Sequence, residues 1–151
     1  QYVLNFATTP SAERRYADFV AQMLSTLAFP APPPGPPAGS FAARADRVCD
    51  SHYPSPEVKK LDEADRLRAI ADVYVAQVRD LRKLEPPPAL ATRYAAMLRL
   101  GAAIPRELRR YADAVEAGSR QAAAKARGRA ERSGKAASDL AEELGLTSCA
   151  G

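Results

Sequence analysis

Tryptophan is absent from this sequence, and two isoleucines and four phenylalanines stand against 32 alanines. Residues that favour β-strands are therefore scarce, and no stretch of sequence alternates apolar with polar residues over the length of a strand. We expect an all-α fold with a thin core, in which helices approach closely through small contact residues. The 151 residues are enough for one domain with an extension.

Histidine is nearly absent as well, and His52 is the single one in the sequence. A Ser-His-Asp or Cys-His arrangement would need His52 as its base, and no serine has the glycine context of a nucleophile elbow. The sequence also lacks a glycine-rich phosphate loop and the paired-cysteine spacing of zinc sites. We therefore predict a protein that is not an enzyme, with no catalytic residues, no metal and no cofactor.

His52 leaves two ligand-binding alternatives open. With Tyr53 it could ligate haem iron, because imidazole and phenolate both serve as axial ligands, although there is little aromatic material to enclose a porphyrin. With Asp46 and Asp50, which lie one helical turn apart, it could form a metal cluster. The simpler interpretation places His52 in a loop after the end of a helix and leaves both carboxylates solvated.

Cysteine is also rare: Cys49 and Cys149 lie near the two ends of the helical region, with 99 residues between them. Position 1 is Gln rather than Met, and removal of a leader peptide is one explanation. We predict a disulfide between the two cysteines and an extracytoplasmic location, because disulfides persist in oxidising compartments. Closing a loop of about 100 residues is worth roughly 4 to 5 kcal/mol in the chain-entropy model.

Proline is abundant at one place, the run PAPPPGPPAGS at residues 30–40, which favours a semi-rigid extended spacer. Before it, apolar residues recur at spacings of three and four and predict an amphipathic helix. Such a helix is not stable alone in water, so it either folds back onto the bundle or docks on another chain. Because a stiff spacer holds the two parts of the chain apart, we expect residues 1–29 to dock on a protein partner or a second copy. The contact residues would be Tyr16, Phe19, Val20, Met23, Leu24 and Leu27.

Residues 41–151 predict a disulfide-closed antiparallel bundle of three long helices and a short one. Ser40 can cap the short helix, and Ser55 followed by Pro56 predicts the start of the first long helix, which runs to about Leu84. The expected buried faces are Phe41, Ala45, Val48 and Cys49 in the short helix, and Leu67, Ile70, Tyr74, Gln77 or Val78, Leu81 and Leu84 in the long one.

The second long helix follows the three prolines at residues 86–88 and keeps its apolar spacing across Pro105, which predicts one kinked helix. Gly118 ends it. The last helix runs to Leu144, and small residues cover most of its inward face. That face is expected to comprise Ala122, Ala126, Ala130, Ser133, Ala137, Leu140 and Leu144.

The C-terminal end carries its own stop signal. Gly145 is expected to adopt the left-handed conformation that caps a helix, and Leu146 to fold back onto Ala141 or Leu140. Cys149 then follows as a covalent pin. The last helix buries little area through its small residues, so it needs this pin.

In order and spacing, these features resemble small exported proteins of actinobacteria that have no assigned activity. The matching residues are Cys49 in an early short helix, the turn from Leu84 to Pro88, and the terminal Leu144, Gly145, Leu146 and Cys149. The resemblance covers about residues 41–151. It implies an extracytoplasmic all-α domain, tethered to the cell surface in some relatives, and it carries no known catalytic residues.

Charge is distributed unevenly: between Ser119 and Lys135 six basic residues accompany a single acidic one, Glu131. Such a stripe could bind an anionic envelope polymer or a membrane surface through counterion release. Nucleic acid is disfavoured because no aromatic residues are interleaved with the basic ones. The candidate residues are Arg120, Lys125, Arg127, Arg129, Arg132 and Lys135, and the alternative is a solvated basic face.

The leading hypothesis from the sequence is a non-enzymatic interaction or structural protein of the cell envelope, with residues 1–29 as its partner contact. Two alternatives stay open. One is a carrier of haem or of a small hydrophobic ligand. The other is a binder of anionic polymer or lipid through the basic last helix.

Overall fold

The computed structural model describes Pro37 and residues 39–150, and within them the secondary structure is helical, with no strand. The helices are α1 (Phe41–Ser51), α2 (Glu63–Leu81), α3 (Ala91–Glu116), α4 (Arg120–Glu143) and α5 (Thr147–Ala150), with 3₁₀ turns at Pro56–Lys60 and Pro88–Leu90. The predicted all-α fold with a short helix and three long ones is confirmed. The sequence pattern does not predict α5.

Helix α1 forms as the sequence predicts, and α3 is a single helix rather than two, as predicted. The Ser40 Oγ accepts a hydrogen bond from the Ala43 N–H at 3.1 Å and caps α1. Helix α3 continues without interruption past Pro105, which is buried inside it. A proline in a helix interior removes one backbone hydrogen bond. The loss of one hydrogen bond does not end α3, because the helix is buried on both sides of the proline, at Met97 and Ala112 among other residues.

The predicted start of the first long helix at Ser55 is wrong. The residues after Ser55 form only the 3₁₀ turn, and Leu61 is extended, with φ −70° and ψ 155°. Helix α2 begins after Asp62, whose side chain accepts a hydrogen bond from the Asp65 N–H at 2.9 Å. Ser55 makes no such side-chain bond. The helix therefore starts at the residue that satisfies its free backbone amides.

Helix α3 is central to the bundle. It packs against α2 and against α4, whereas α2 and α4 have no pair of Cα atoms within 8 Å of each other. Helix α3 therefore forms the floor of a groove whose walls are α2 and α4. The short helix α1 packs on α2, α5 packs on α4, and α1 and α5 pack on each other, so together they connect the two walls.

The best-packed part of the core lies at this connected end. The rings of Phe41 and Tyr94 meet edge to face, with centroids 4.9 Å apart. The Tyr94 hydroxyl donates a hydrogen bond to the Leu81 carbonyl at 2.7 Å and ties the start of α3 to the end of α2. The core residues are Phe41, Ala45, Cys49, Leu81, Tyr94, Met97, Ala141, Leu144 and Leu146.

Charged groups connect the opposite ends of α2 and α3. Both terminal nitrogens of Arg68 donate to the Glu116 carboxylate, at 2.6 and 2.7 Å, and one of them also donates to Asp113 at 3.0 Å. The hydrogen bonds that Arg68 donates, first to Glu116 and then to Asp113, raise the pKa of Arg68, and Arg68 in turn lowers the pKa of Glu116. Since these contacts join the start of α2 to the end of α3, the two helices run antiparallel.

Helix α4 buries a small-residue face that differs by one position from the predicted one. Ala126 and Ala130 are buried as predicted, but Ala122 is exposed, and Ala123 is the half-buried residue of the first turn. The prediction is wrong at Ala122. The inward face of α4 reaches its first turn at Ala123, three residues before Ala126, rather than at Ala122, four residues before it. Among the described residues, no helix has both the length and the apolar character needed to cross a bilayer.

Candidate functional site

The disulfide joins the two short helices at the end of the groove. The Sγ atoms of Cys49 in α1 and Cys149 in α5 lie at bonding distance, and their Cα atoms are 5.3 Å apart. The predicted cysteine pair is therefore confirmed. Because α1 packs on α2 and α5 follows α4, this bond also connects the two walls of the groove.

The turn before Cys149 is held by a motif that the sequence predicts. Gly145 has a φ of +70°, a region that L side chains rarely adopt. Its N–H donates to the Glu142 carbonyl and the Leu146 N–H donates to the Ala141 carbonyl, both at 2.9 Å, which is the Schellman arrangement. Leu146 is 0% exposed, so the chain folds back onto the core as expected.

Asp46 supports the same turn, and the sequence reasoning missed this role. The carboxylate is 6% exposed and accepts three hydrogen bonds across the fold. These come from the Thr147 N–H at 3.2 Å, the Thr147 hydroxyl at 2.9 Å and the Ser148 N–H at 3.0 Å. Asp46 thereby caps α5 and presents Cys149 to Cys49. The sequence could have indicated this role, because Asp46 lies between Ala45 and Cys49, two residues on the predicted buried face of α1.

A partly open cleft of ≈ 290 Å³ lies in the groove directly beside the disulfide. Its lining is mostly apolar, and it combines residues from both walls, the floor and the disulfide end. The lining residues are Cys49, Tyr74, Gln77, Val78, Leu81, Met97, Leu98, Gly101, Ile104, Gly134, Lys135, Ala137, Ser138, Cys149 and Ala150.

The cleft exists because the facing helices lack side chains that would fill it. Gly134 and Ala137 line it from α4, and a Cβ added at Gly134 would meet no atom within 4 Å. Gly101 lines it from the floor and lets α3 approach α2 closely, since a Cβ there would lie 3.3 Å from the Val78 Cγ2. The scarcity of large core residues thus produces a space between helices rather than a uniformly thin core.

A second cleft, of ≈ 210 Å³, adjoins the first on the His52 side of the disulfide. Cys49, Tyr74, Gln77 and Cys149 line both clefts. The residues that line only the second are His52, Tyr53, Pro54, Ile70, Val73 and Ser148. The disulfide and one face of α2 therefore form the boundary between two neighbouring apolar spaces.

Comparison with known protein families, with curated proteins and with solved structures finds no match to this chain. The resemblance to exported actinobacterial proteins, based on Cys49, Leu84 to Pro88 and the terminal Leu-Gly-Leu-x-x-Cys, therefore stays a prediction from the sequence.

His52 is not a free loop residue but connects α1 to α2. Its Nδ1 lies 2.8 Å from the Val48 carbonyl oxygen, and its Nε2 lies 3.1 Å from an oxygen of Asp80. Hydrogen bonds from Arg79 and Lys83 hold the pKa of Asp80 well below its usual range. The Ser51 hydroxyl also lies 3.0 Å from Nδ1, so both ring nitrogens have polar neighbours within the protein.

This arrangement bears on both ligand alternatives considered for His52. Tyr53 is 70% exposed and the two nitrogens of His52 are engaged, so the geometry does not favour the pair as axial ligands of haem iron. The metal alternative needs Asp46, Asp50 and His52 together, but Asp46 faces α5 and His52 faces Asp80. Among the described residues, no group of three His, Cys, Asp or Glu side chains could hold a metal ion.

The basic face of α4 is partly neutralised by carboxylates. Arg127 pairs with Glu131 at 2.7 Å, and Lys135 pairs with Asp139 at 2.8 Å. These hydrogen bonds raise the pKa values of Arg127 and Lys135. Of the six candidate residues, Arg120, Lys125 and Arg132 form no ion pair within the described part of the chain, and Arg129 is engaged by Glu107, as described next.

Glu107 is a buried carboxylate between α3 and α4, with 4% exposure. Its Oε1 accepts a hydrogen bond from Arg110 at 2.6 Å, and Arg129 lies 3.6 Å from its Oε2. Within the described residues, that Oε2 has no hydrogen-bond partner. Arg129, one of the six basic candidate residues, therefore forms an ion pair with Glu107 of α3. The sequence pattern does not reveal this contact.

The predicted partner-binding residues Tyr16, Phe19, Val20, Met23, Leu24 and Leu27 lie outside the described residues, as does most of the spacer at 30–40. Docking of residues 1–29 on a partner or a second copy therefore stays a prediction from the sequence.

Proposed function

We propose that this chain is a non-enzymatic, extracytoplasmic protein that binds a small apolar ligand in the cleft between α2 and α4. The observation that carries the proposal is the cleft itself, a space of ≈ 290 Å³ that is lined mainly by apolar side chains and bounded by the disulfide. Ligand sites typically enclose about 300–1,000 Å³ and have mostly apolar linings with a few polar groups. The cleft lies at the lower edge of that range.

The energetics support a ligand there. Apolar surface that loses contact with water contributes about 25 cal/mol per Å². Leu98 and Ala137 line the cleft and are only half-buried, on helices α3 and α4, which are already packed on each other. A ligand would therefore bury apolar surface on both partners without requiring the bundle to rearrange.

The extracytoplasmic part of the proposal rests on the disulfide. Cys49 and Cys149 are paired, and structural disulfides are typical of secreted and cell-surface proteins. Alkylation of free thiols in freshly isolated protein tests this part of the proposal.

An uncharged fluorescent probe tests ligand binding. We expect the full chain to bind N-phenylnaphthylamine, with a rise in probe fluorescence as the probe enters the apolar cleft. The variant Gly134→Leu places a side chain in the cleft, where an added Cβ meets no atom within 4 Å. It should weaken probe binding by about tenfold or more, because the space is then filled.

Gly128→Leu is the matched control. Gly128 lies on the same helix and lines neither cleft, and a Cβ there meets only the flexible end of Arg132, at 3.4 Å. This variant should bind the probe as the unchanged protein does. Absence of probe binding to the unchanged protein, or equal loss in both variants, would reject the proposed function.

A further inference from the structure

Two of the side chains between the clefts are held by no hydrogen bond. Tyr74 and Gln77 line both clefts together with the disulfide, and both are half-buried. Within the described residues, neither side chain takes part in a hydrogen bond, whereas Tyr94 and Tyr111 are both hydrogen-bonded through their hydroxyls. A change of rotamer at Tyr74 and Gln77 would therefore break no hydrogen bond and would join the two clefts beside the disulfide.

The charged groups that line the clefts are already matched by carboxylates. Lys135 in the first cleft pairs with Asp139 at 2.8 Å, and His52 in the second pairs with Asp80 at 3.1 Å. Among the described residues, no other charged side chain lines either cleft. A carboxylate or phosphate entering the site would lose water without gaining a free cation, which is unfavourable.

We infer that the two clefts form a single elongated site for an uncharged lipid with one long unbranched chain. The first cleft, of ≈ 290 Å³, and the second, of ≈ 210 Å³, each lie below the usual size of a ligand site. Joined past Tyr74 and Gln77, they fall within the range of about 300–1,000 Å³. The hydrocarbon chain of the lipid would pass the disulfide and end near His52. This inference rests on the proposed function and names its ligand class.

Chain length and charge can be varied separately in a competition experiment. Octanol, tetradecanol and myristate displace bound N-phenylnaphthylamine from the full chain to extents that report their affinities. We expect tetradecanol to bind at least about tenfold more tightly than octanol, because every methylene buried in an apolar site strengthens binding. Myristate, with the same number of carbons and a negative charge, should bind at least about tenfold more weakly than tetradecanol.

Two variants of α2 test whether the end of the lipid's hydrocarbon chain lies in the second cleft. Val73→Trp blocks only the second cleft, and Val75→Trp is the matched control, since Val75 lies two residues away, is 43% exposed and lines neither cleft. Val73→Trp should reduce the affinity for tetradecanol to that for octanol and leave the affinity for octanol unchanged. Val75→Trp should change neither affinity. Ile70→Trp, also in the second cleft alone, repeats the test if Val73→Trp does not fold.

The outcomes separate this inference from the proposed function. If the unchanged protein binds neither the probe nor any alcohol, the proposed function fails and the inference fails with it. If octanol binds but Val73→Trp and Ile70→Trp leave tetradecanol affinity unchanged, the first cleft acts alone and only the inference is rejected. If myristate binds as tightly as tetradecanol, the conclusion that the ligand is uncharged is overturned.

Discussion

Asp46 is a buried carboxylate on an otherwise apolar face of α1, beside Ala45 and Cys49. It accepts hydrogen bonds from the backbone amides of Thr147 and Ser148, and a third from the Thr147 hydroxyl, in a helix about 100 residues further along the chain. A buried carboxylate without such partners would be strongly destabilising. At the scale of single residues, the disulfide end therefore depends on a polar contact as well as on the covalent bond.

Replacing Asp46 tests this dependence. Asp46→Ala should reduce the free energy of unfolding by about 2–4 kcal/mol, since charge-assisted hydrogen bonds are lost and α5 loses its cap. Asp50→Ala is the matched control: Asp50 is one turn further along α1 and exposed. It should change stability by less than about 0.5 kcal/mol. Urea denaturation with the disulfide intact measures both, and equal effects would contradict the assigned role.

Tyr94 provides a prediction about alkaline pH. Burial raises the pKa of Tyr94 to about 12, against an ordinary value of 10.0. Between these values the unfolded chain releases the phenolic proton while the folded chain keeps it. The stabilisation that Tyr94 contributes is therefore complete below about pH 10 and is lost as the pH rises through about 12.

An absorbance titration of the phenolate band checks this value. The unchanged protein should show a tyrosine that ionises near pH 12, and Tyr94→Phe should remove that late step. Tyr53→Phe, at a 70% exposed position, should leave it in place. Persistence of the late step in Tyr94→Phe would show that another tyrosine is responsible.

At the scale of helices, two glycines that line the same cleft have opposite structural roles. Gly101 lies where α3 meets α2, and any Cβ there crowds Val78 at 3.3 Å. Gly134 lies on α4 facing open space. A side chain at position 101 would therefore make Val78 shift by a few tenths of an ångström or more, while the glycine at 134 only leaves room beside the floor of the groove.

Leucine at each position should change stability in opposite directions. Gly101→Leu forces α2 and α3 apart and should destabilise the fold by about 1–3 kcal/mol. Gly134→Leu replaces a poor helix former without a clash and should stabilise it by up to about 1 kcal/mol. Thermal unfolding followed by circular dichroism measures both changes. Stabilisation by Gly101→Leu would show that Val78 can yield into the cleft.

At the scale of the whole molecule, one covalent bond completes the connection between the outer helices. Within the described part of the chain, helices α2 and α4 are connected only through α3 and through the contacts that link α1 to α5. Cys49 and Cys149 tie that chain of contacts together. The bond thus limits how far the two walls of the groove can separate.

Removal of the disulfide should lower the free energy of unfolding by about 4–5 kcal/mol, as the chain-entropy model gives for a loop of this length. The variant with both Cys49→Ser and Cys149→Ser measures this loss in urea denaturation. Protein isolated under alkylating conditions without reductant should carry no alkylated thiol at either position. Alkylation of both cysteines in fresh material would remove the support for an oxidising compartment.

Local signals in the sequence predict much of the fold correctly. Ser40 caps α1 and Gly145 adopts the left-handed cap, because each depends on residues within a few positions of one another. Helix α3 continues past Pro105 because its buried face persists on both sides of the proline. The start of α2 is misplaced for a related reason: two local caps compete, and the pattern alone does not show that Asp62 prevails over Ser55.

The sequence by itself determined that the chain is helical, where most helices end, and that Cys49 and Cys149 are the candidates for pairing. Only the tertiary structure decided that Asp46 caps α5, that carboxylates match Lys135 and His52, and that a cleft lies between α2 and α4. The physical reason is distance along the chain. Helical periodicity and capping act over one or two turns, whereas these contacts form between side chains on different helices, brought together only by packing.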